Sequence, residues 1–144
     1  MKNILVICIG NICRSPMAEA LLKKSLPDRF VYSAGLGAMI GKPADPLSVQ
    51  LMAEQGIDIT THRAQQISTP LVSHADLILV MDSEQKKYIE TQYIGTRGKV
   101  FRLCEATKVD VPDPYREGIE SFRAAQRLIE DGVRFWTEQI VKMS

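Results

Sequence analysis

Cysteine is scarce in this chain: Cys8, Cys13 and Cys104 are its three, in 144 residues. A sparse, odd set cannot form the disulfide framework of a small secreted domain, so a reducing cytoplasm is the expected setting and each thiol is left to chemistry or packing. A dominant charge is lacking too. Eighteen Lys and Arg against seventeen Asp and Glu leave a net charge of +1, which excludes broad affinity for nucleic acid or membranes. No apolar run approaches the ~20 residues of a membrane span. The opening MKNILVICIGN has one basic residue at position 2 and no small-residue cleavage site, so it reads as a first strand and not as a secretion signal. His62 and His74, the two histidines, lack metal-ligand spacing, and His62 is expected to be a hydrogen-bonded structural residue. No internal repeat, linker or low-complexity tract divides the chain, so residues 1–144 are expected to form one domain with a core that needs no metal or disulfide.

What is present is an alternation of strands and helices, the pattern of a parallel sheet covered on both faces and hence of an α/β fold. Ile4 to Cys8 reads as the first strand. Ser15 is expected to cap a helix with Pro16 in its first turn, where a missing N–H costs nothing, and Ala18, Leu21 and Leu22 give that helix an apolar side. Phe30 to Ala34 is a second strand, and GLGAMIGKPADP a long loop. Leu47 to Gln55 reads as a helix stopped by Gly56. Leu77 to Met81 is a strand, Ser83 to Gln92 a charged surface helix and Val100 to Leu103 a last strand. After the polar loop DVPDPYREG, apolar residues recur from Ile119 to Met143 in steps of three and four, broken only around Ala125 and Gln126.

The chemistry gathers at the first strand-to-helix turn, CIGNICRSP, Cys8 to Pro16. In open α/β sheets that turn is the favoured phosphate position. The backbone N–H groups of Ile9, Gly10, Asn11, Ile12 and Cys13 can converge there on one anion, with Gly10 permitting a close or left-handed approach. Donors that hold an oxyanion also favour a thiolate, which makes Cys8 a nucleophile. Arg14 brings a planar fork that matches two phosphate oxygens, and Ser15 a hydroxyl within reach of the sulfur. Outside this context of strand, Gly-Asn and Ser-Pro, the same spacing would be a buried cysteine and a solvated arginine. Within it, the pattern points to phosphoryl transfer through sulfur.

CIGNICRSPMAEALL, SAGLGAMIGKPADP, LILVMD and the late DPY together resemble the low-molecular-weight protein tyrosine phosphatases, in order and over essentially the whole chain. The resemblance implies a four-stranded parallel sheet in the order 2-1-3-4, flanked by helices, and hydrolysis through a cysteinyl-phosphate that releases inorganic phosphate. It implies no metal and no organic cofactor. By position, Cys8 is the nucleophile, Arg14 and the loop amides bind phosphate, and Asp113 of DPY is the general acid. Asn11 holds the loop in shape with Ser33 and His62 as partners.

Asp113 has an independent case: a phenolate leaving group needs a proton, and an aspartate before Pro114 is biased to an extended conformation on a stiff loop. Nearby Asp110 has no motif. Tyr115, Ile9, Ile12 and Met39 are expected to wall a pocket suited to an aryl phosphate. Met39 and Arg116 stand where many relatives carry aromatics. This resembles the bacterial branch that opposes membrane tyrosine autokinases of capsule and exopolysaccharide export, and it implies such a phosphotyrosine protein as partner. Gln65 departs from an arginine often found in the family. Asp45 and Asp82 match family positions and are expected to organise loops. Cys104 reads as core. Cys13 has two readings, a small apolar loop residue or a partner for Cys8 in a reversible disulfide. Three rivals are weaker. An arsenate reductase of this fold needs a further cysteine pair where only Cys104 remains. A non-catalytic phosphate-binding module would not need both Cys8 and Asp113, and the G-x4-G-K-[ST] of a nucleotide loop is absent.

Overall fold

Alternation along the first strand decides how the layers assemble. In β1 (Asn3–Cys8), Ile4 and Val6 point into one apolar core while Leu5 and Ile7 point into another, and all four are fully buried. A computed structural model of the chain describes residues 1–143. After β1 come α1 (Arg14–Ser25), β2 (Phe30–Gly35), α2 (Pro46–Ala53), α3 (Thr69–His74), β3 (Leu77–Val80), α4 (Ser83–Gln92), β4 (Val100–Arg102) and α5 (Ile119–Lys142). The strands form one sheet in the order β2-β1-β3-β4, parallel at every pairing. Residues of α1, α2 and α5 fill the core with Ile4 and Val6, and Val72 of α3 and Ile89 of α4 fill the one with Leu5 and Ile7.

This topology locates the site. The chain leaves β1 toward β2 on one side and later returns to β3 on the other, so the order reverses at the carboxyl end of β1, where a crevice opens. The entry into β1 is held at its far end: Asp76 Oδ2 accepts the N–H groups of Lys2 at 3.0 Å and Asn3 at 2.9 Å.

Four details differ from the sequence expectation. Helix α1 starts at Arg14, with Cys13 as an N-cap that offers no side-chain bond; Ser15 lies inside the first turn and its hydroxyl turns to the loop instead. Helix α2 begins at Pro46, capped by Asp45 through Leu47 N–H at 2.9 Å, and closes at Ala53. The six-residue α3 was not anticipated, because it is too short for periodicity to show, although Ser68 and Pro70 are its cap and first-turn residues. In α5 the apolar stripe does not break: Ala125 and Gln126 are both buried between Phe122 and Ile129. Asp82, the other loop carboxylate, caps α4 by accepting Gln85 N–H at 2.8 Å.

Candidate active site

The loop after β1 directs its carbonyls at the scaffold, one after another. Cys8 O accepts from Leu36 N, Ile9 O from Gly37 N and Gly10 O from Met39 N, each at 3.0 Å. Asn11 O accepts from His62 Nε2 at 2.7 Å, Ile12 O from Asp45 N at 2.8 Å, and Cys13 O from the Ser48 hydroxyl at 3.0 Å. In a trans peptide the N–H opposes the preceding C=O, so six outward carbonyls aim their N–H partners inward. The amides of Ile9 to Cys13 find no acceptor among the described residues. Convergent donors of this kind at a helix start form a cradle for an anion.

Asn11 is the keystone of that shape. It is fully buried and has φ +59°, a left-handed conformation that asparagine tolerates better than most residues. Its Oδ1 accepts Gln65 N–H at 2.9 Å, which fixes the orientation of the amide, and its Nδ2 donates to Ser15 Oγ at 2.7 Å and Ser33 Oγ at 2.9 Å. Ser33 Oγ in turn donates a hydrogen bond to Glu19 Oε1 at 2.5 Å. His62 faces a carbonyl, so its Nε2 carries the proton. Gln65 gains a function the sequence had left open: its backbone serves Asn11 and Gly35, and its side-chain Nε2 donates to Ser33 O at 2.8 Å.

The side chains of Cys8, Arg14 and Asp113 converge at the cradle. Cys8 Sγ lies 2.9 Å from Ser15 Oγ, and because that oxygen already accepts from Asn11, its proton is left for the sulfur. Arg14 is 2% exposed and donates from Nη1 to Val111 O at 2.8 Å. Its Nε is buried with no partner among the described residues, and Nη2 stands 3.7 Å from Asp113 Oδ2. The Nε–Nη2 edge, a two-pronged donor, therefore makes no hydrogen bond among the described residues and faces only the Asp113 carboxylate. Asp113 is half-exposed across from it, oriented by Tyr115 N–H bonding to its Oδ1 at 3.1 Å. Cys8, Arg14, Asp113, Met39 and Tyr115 share one cavity of about 150 Å³ with the loop residues Ile9, Gly10 and Ile12. The Arg116 guanidinium lies over the Tyr115 ring, 5.1 Å from its centroid, and so stiffens that wall.

Cys13 also lines the cavity, but its buried thiol faces Asp45 Oδ2 at 3.9 Å. Burial first, and the Asp45 carboxylate second, push its pKa far up, so the thiol is held protonated. Cys104 is buried away from the cavity and donates to Leu128 O at 3.1 Å. Asp110 binds Arg102 at 3.0 Å and takes no part in the site. Sequence reasoning missed the outer supports: Gly35, Glu19, Ser48 and Val111. Gly35 had a signal, a glycine closing a strand beside the loop, and its reason is steric, since a Cβ there would sit 2.4 Å from Ile9 O. Val111 had none, because it serves through a backbone carbonyl.

A parallel sheet with this cradle at its switch point, and a cysteine, an arginine and an aspartate over one ring-sized cavity, defines a protein-tyrosine-phosphatase. The chain belongs to the low molecular weight phosphotyrosine protein phosphatase family, whose profile matches residues 3–144. It is 54% identical over 140 residues to the probable low molecular weight protein-tyrosine-phosphatase EpsP of Ralstonia nicotianae, covering 97% of each chain. It is 42% identical to the low molecular weight protein-tyrosine-phosphatase Wzb of Escherichia coli, over 96% of this chain and 95% of the other. Among solved structures, Vibrio vulnificus Wzb in complex with benzylphosphonate superposes with a TM-score of 0.91 at 38% identity, over 96% of this chain and 98% of that one.

Proposed function

We propose that the enzyme cleaves phosphotyrosine in two steps through a cysteinyl-phosphate. In the first, the Cys8 thiolate attacks phosphorus as the P–O bond to the ring breaks, and Asp113 gives its proton to the departing phenolate oxygen. The inward amides and the Nε–Nη2 edge of Arg14 take the equatorial oxygens, whose charge they meet without reorganising. In the second, water attacks the phosphorus of the thiophosphate while the Asp113 carboxylate takes its proton. The S–P bond breaks, Cys8 leaves as a thiolate steadied by Ser15, and inorganic phosphate is released. The observation that carries this reading is the run of outward carbonyls from Cys8 to Cys13, which builds an anion site with a sulfur at its base. The benzylphosphonate bound by the Vibrio relative, a phosphonate on an aryl-bearing carbon, supports an aryl phosphate as substrate here.

Cys8→Ser is expected to abolish turnover of p-nitrophenyl phosphate while vanadate and phosphate still bind, because the hydroxyl lacks a thiolate and leaves the cradle in place. Turnover by that variant above the blank would overturn the mechanism. The arsenate-reductase reading gains no support, since Cys104 is buried under α5.

The partner in this reading is a membrane tyrosine autokinase of capsule or exopolysaccharide export, met at its cytoplasmic tail. Similarity over nearly the full length to EpsP and Wzb, together with Met39 on the cavity wall and Arg116 stacked on Tyr115, supports it. No helix among the described residues is long and apolar enough to cross a membrane. A Cys8→Ser, Asp113→Ala trap in lysate of the source cell is expected to retain a tyrosine-phosphorylated autokinase and release it to vanadate. Retention of serine-phosphorylated proteins alone would refute the partnership.

A further inference from the structure

A cavity of about 150 Å³ is the size that holds a single benzene-like ring, so everything in a protein substrate beyond the phosphotyrosine ring must lie outside it. What lies outside is not featureless. A second groove, of about 440 Å³, runs between α4 and the turn after β2, and Ile9 forms a wall of both spaces. Its other apolar walls are Leu36 and Tyr88. Ile9 is 43% exposed and Tyr88 46%, high values for large side chains that face one another beside an active site.

The groove is built on rigid parts. Leu36 N–H holds Cys8 O, and the Ile9 carbonyl is held by Gly37, so two walls are fixed by the same bonds that shape the phosphate cradle. The third stands on α4, in the second turn after its capped start. Gln85 lines the same groove. It is 2% exposed, its Oε1 accepts Met81 N–H at 2.8 Å, and its Nε2 is buried without a partner among the described residues. Gln85 thus braces the groove from below through Met81, and what an occupant meets is the apolar wall of Ile9, Leu36 and Tyr88. Asp82 and Glu84 against Lys87 leave the lining with a small excess of negative charge, which disfavours an acidic occupant.

We propose that this groove is the subsite for an apolar side chain adjacent to the phosphotyrosine of a peptide substrate, and that Ile9, Leu36 and Tyr88 set sequence preference there. The inference rests on the phosphotyrosine reading of the active site and goes beyond it: the enzyme selects its tyrosines by an aliphatic or aromatic neighbour, not by phosphate and ring alone. Continuity through Ile9 makes one extended chain able to fill both spaces.

The test uses phosphotyrosine peptides in a serine host, with a single leucine moved one position at a time along either side of the phosphotyrosine. Hydrolysis is compared with that of p-nitrophenyl phosphate. At one favoured position leucine is expected to raise kcat/KM about tenfold, the range for burying part of one apolar side chain in a preformed pocket. Tyr88→Ala should reduce that gain to about twofold or less, leave the all-serine peptide and p-nitrophenyl phosphate unchanged, and lose the effect mainly in KM, by the same burial argument. Tyr88→Phe should keep the gain. The half-exposed position of Tyr88 on α4 makes these variants safe for the fold. No leucine advantage at any position, or an equal loss on all substrates in Tyr88→Ala, would overturn the subsite. Failure to hydrolyse any peptide while p-nitrophenyl phosphate is turned over would overturn the phosphotyrosine reading, and the subsite with it.

Discussion

Replacing Asn11 by alanine tests whether the phosphate loop is held open by its side-chain network. The substitution removes the acceptor of Gln65 N–H and the donors to Ser15 and Ser33. An amide left without its acceptor in a part-buried site costs ~1–3 kcal/mol, and each of the two lost bonds to hydroxyls that keep another partner ~0.5–1 kcal/mol. Alanine at φ +59° adds ~1 kcal/mol that asparagine largely avoids. The sum is about 4 kcal/mol, a large part of the ~5–15 kcal/mol by which such a domain is stable. Urea unfolding followed by the fluorescence of Trp136 should therefore show a midpoint lower by about 2 M, for an m-value near 2 kcal/mol/M. Asn11→Gly loses the same bonds without the left-handed strain and should be about 1 kcal/mol milder. On the folded fraction, kcat/KM for an aryl phosphate should fall about a hundredfold, comparable to losing one oxyanion donor. A stability loss below about 1 kcal/mol, or full stability loss with unchanged kcat/KM, would refute the argument that this network sets the direction of the amides.

Asp113→Asn should slow hydrolysis of phenyl phosphate, whose leaving group needs the proton, far more than that of p-nitrophenyl phosphate; equal losses measured by steady-state kinetics would mean that only the loop was disturbed. Peroxide should inactivate the enzyme at Cys8. If Cys13 captures the oxidised sulfur, its thiol, held protonated by burial and Asp45, makes capture faster as pH rises; Cys13→Ser should then recover less activity with dithiothreitol, and equal recovery without a Cys8–Cys13 disulfide by mass spectrometry would leave Cys13 to packing. The Asp76 carboxyl is held below its ordinary range chiefly by the Asn3 N–H, with Lys2 N–H adding to it. Its contribution is fully present above the unfolded carboxylate value and is lost as pH falls through the folded one. Asp76→Ala should cost about 0.5–1 kcal/mol at neutral pH, the discounted worth of an exposed charge-assisted pair of bonds, and nothing in acid; a gap in urea midpoints that persists at low pH would contradict this.

The legible part of this protein was the part written in side chains at fixed spacing. Strands β1, β2 and β3 announced themselves as apolar runs, and Cys8, Arg14 and Asp113 as motif residues, and the structure brings these three around one cavity. The order of the strands followed from resemblance, since no local pattern tells β1 to sit between β2 and β3. Ser15 misled because Ser-Pro before a helix is also a capping signal, and only the tertiary position of Asn11 shows which use prevails. Gln65 was opaque for a related reason: two of its three bonds are made by its backbone, for which any residue but proline would serve. The groove beside Tyr88 joins residues 9, 36 and 88, whose separation along the chain hides it from any sequence window.

The outward run of carbonyls in the phosphate loop bears on how this enzyme could be inhibited and how it could escape. A compound that engages only the amides of Ile9 to Cys13 contacts N–H groups that every residue but proline supplies, so an exchange of a loop side chain for any other residue leaves its binding groups in place. Resistance would have to arise at Asn11, Gly35, Ser48 or His62, the residues that keep the loop in its shape. Each such change would also misaim the donors on which the proposed transition state depends. Drug and substrate would lose affinity together, and the cell would gain little by the exchange.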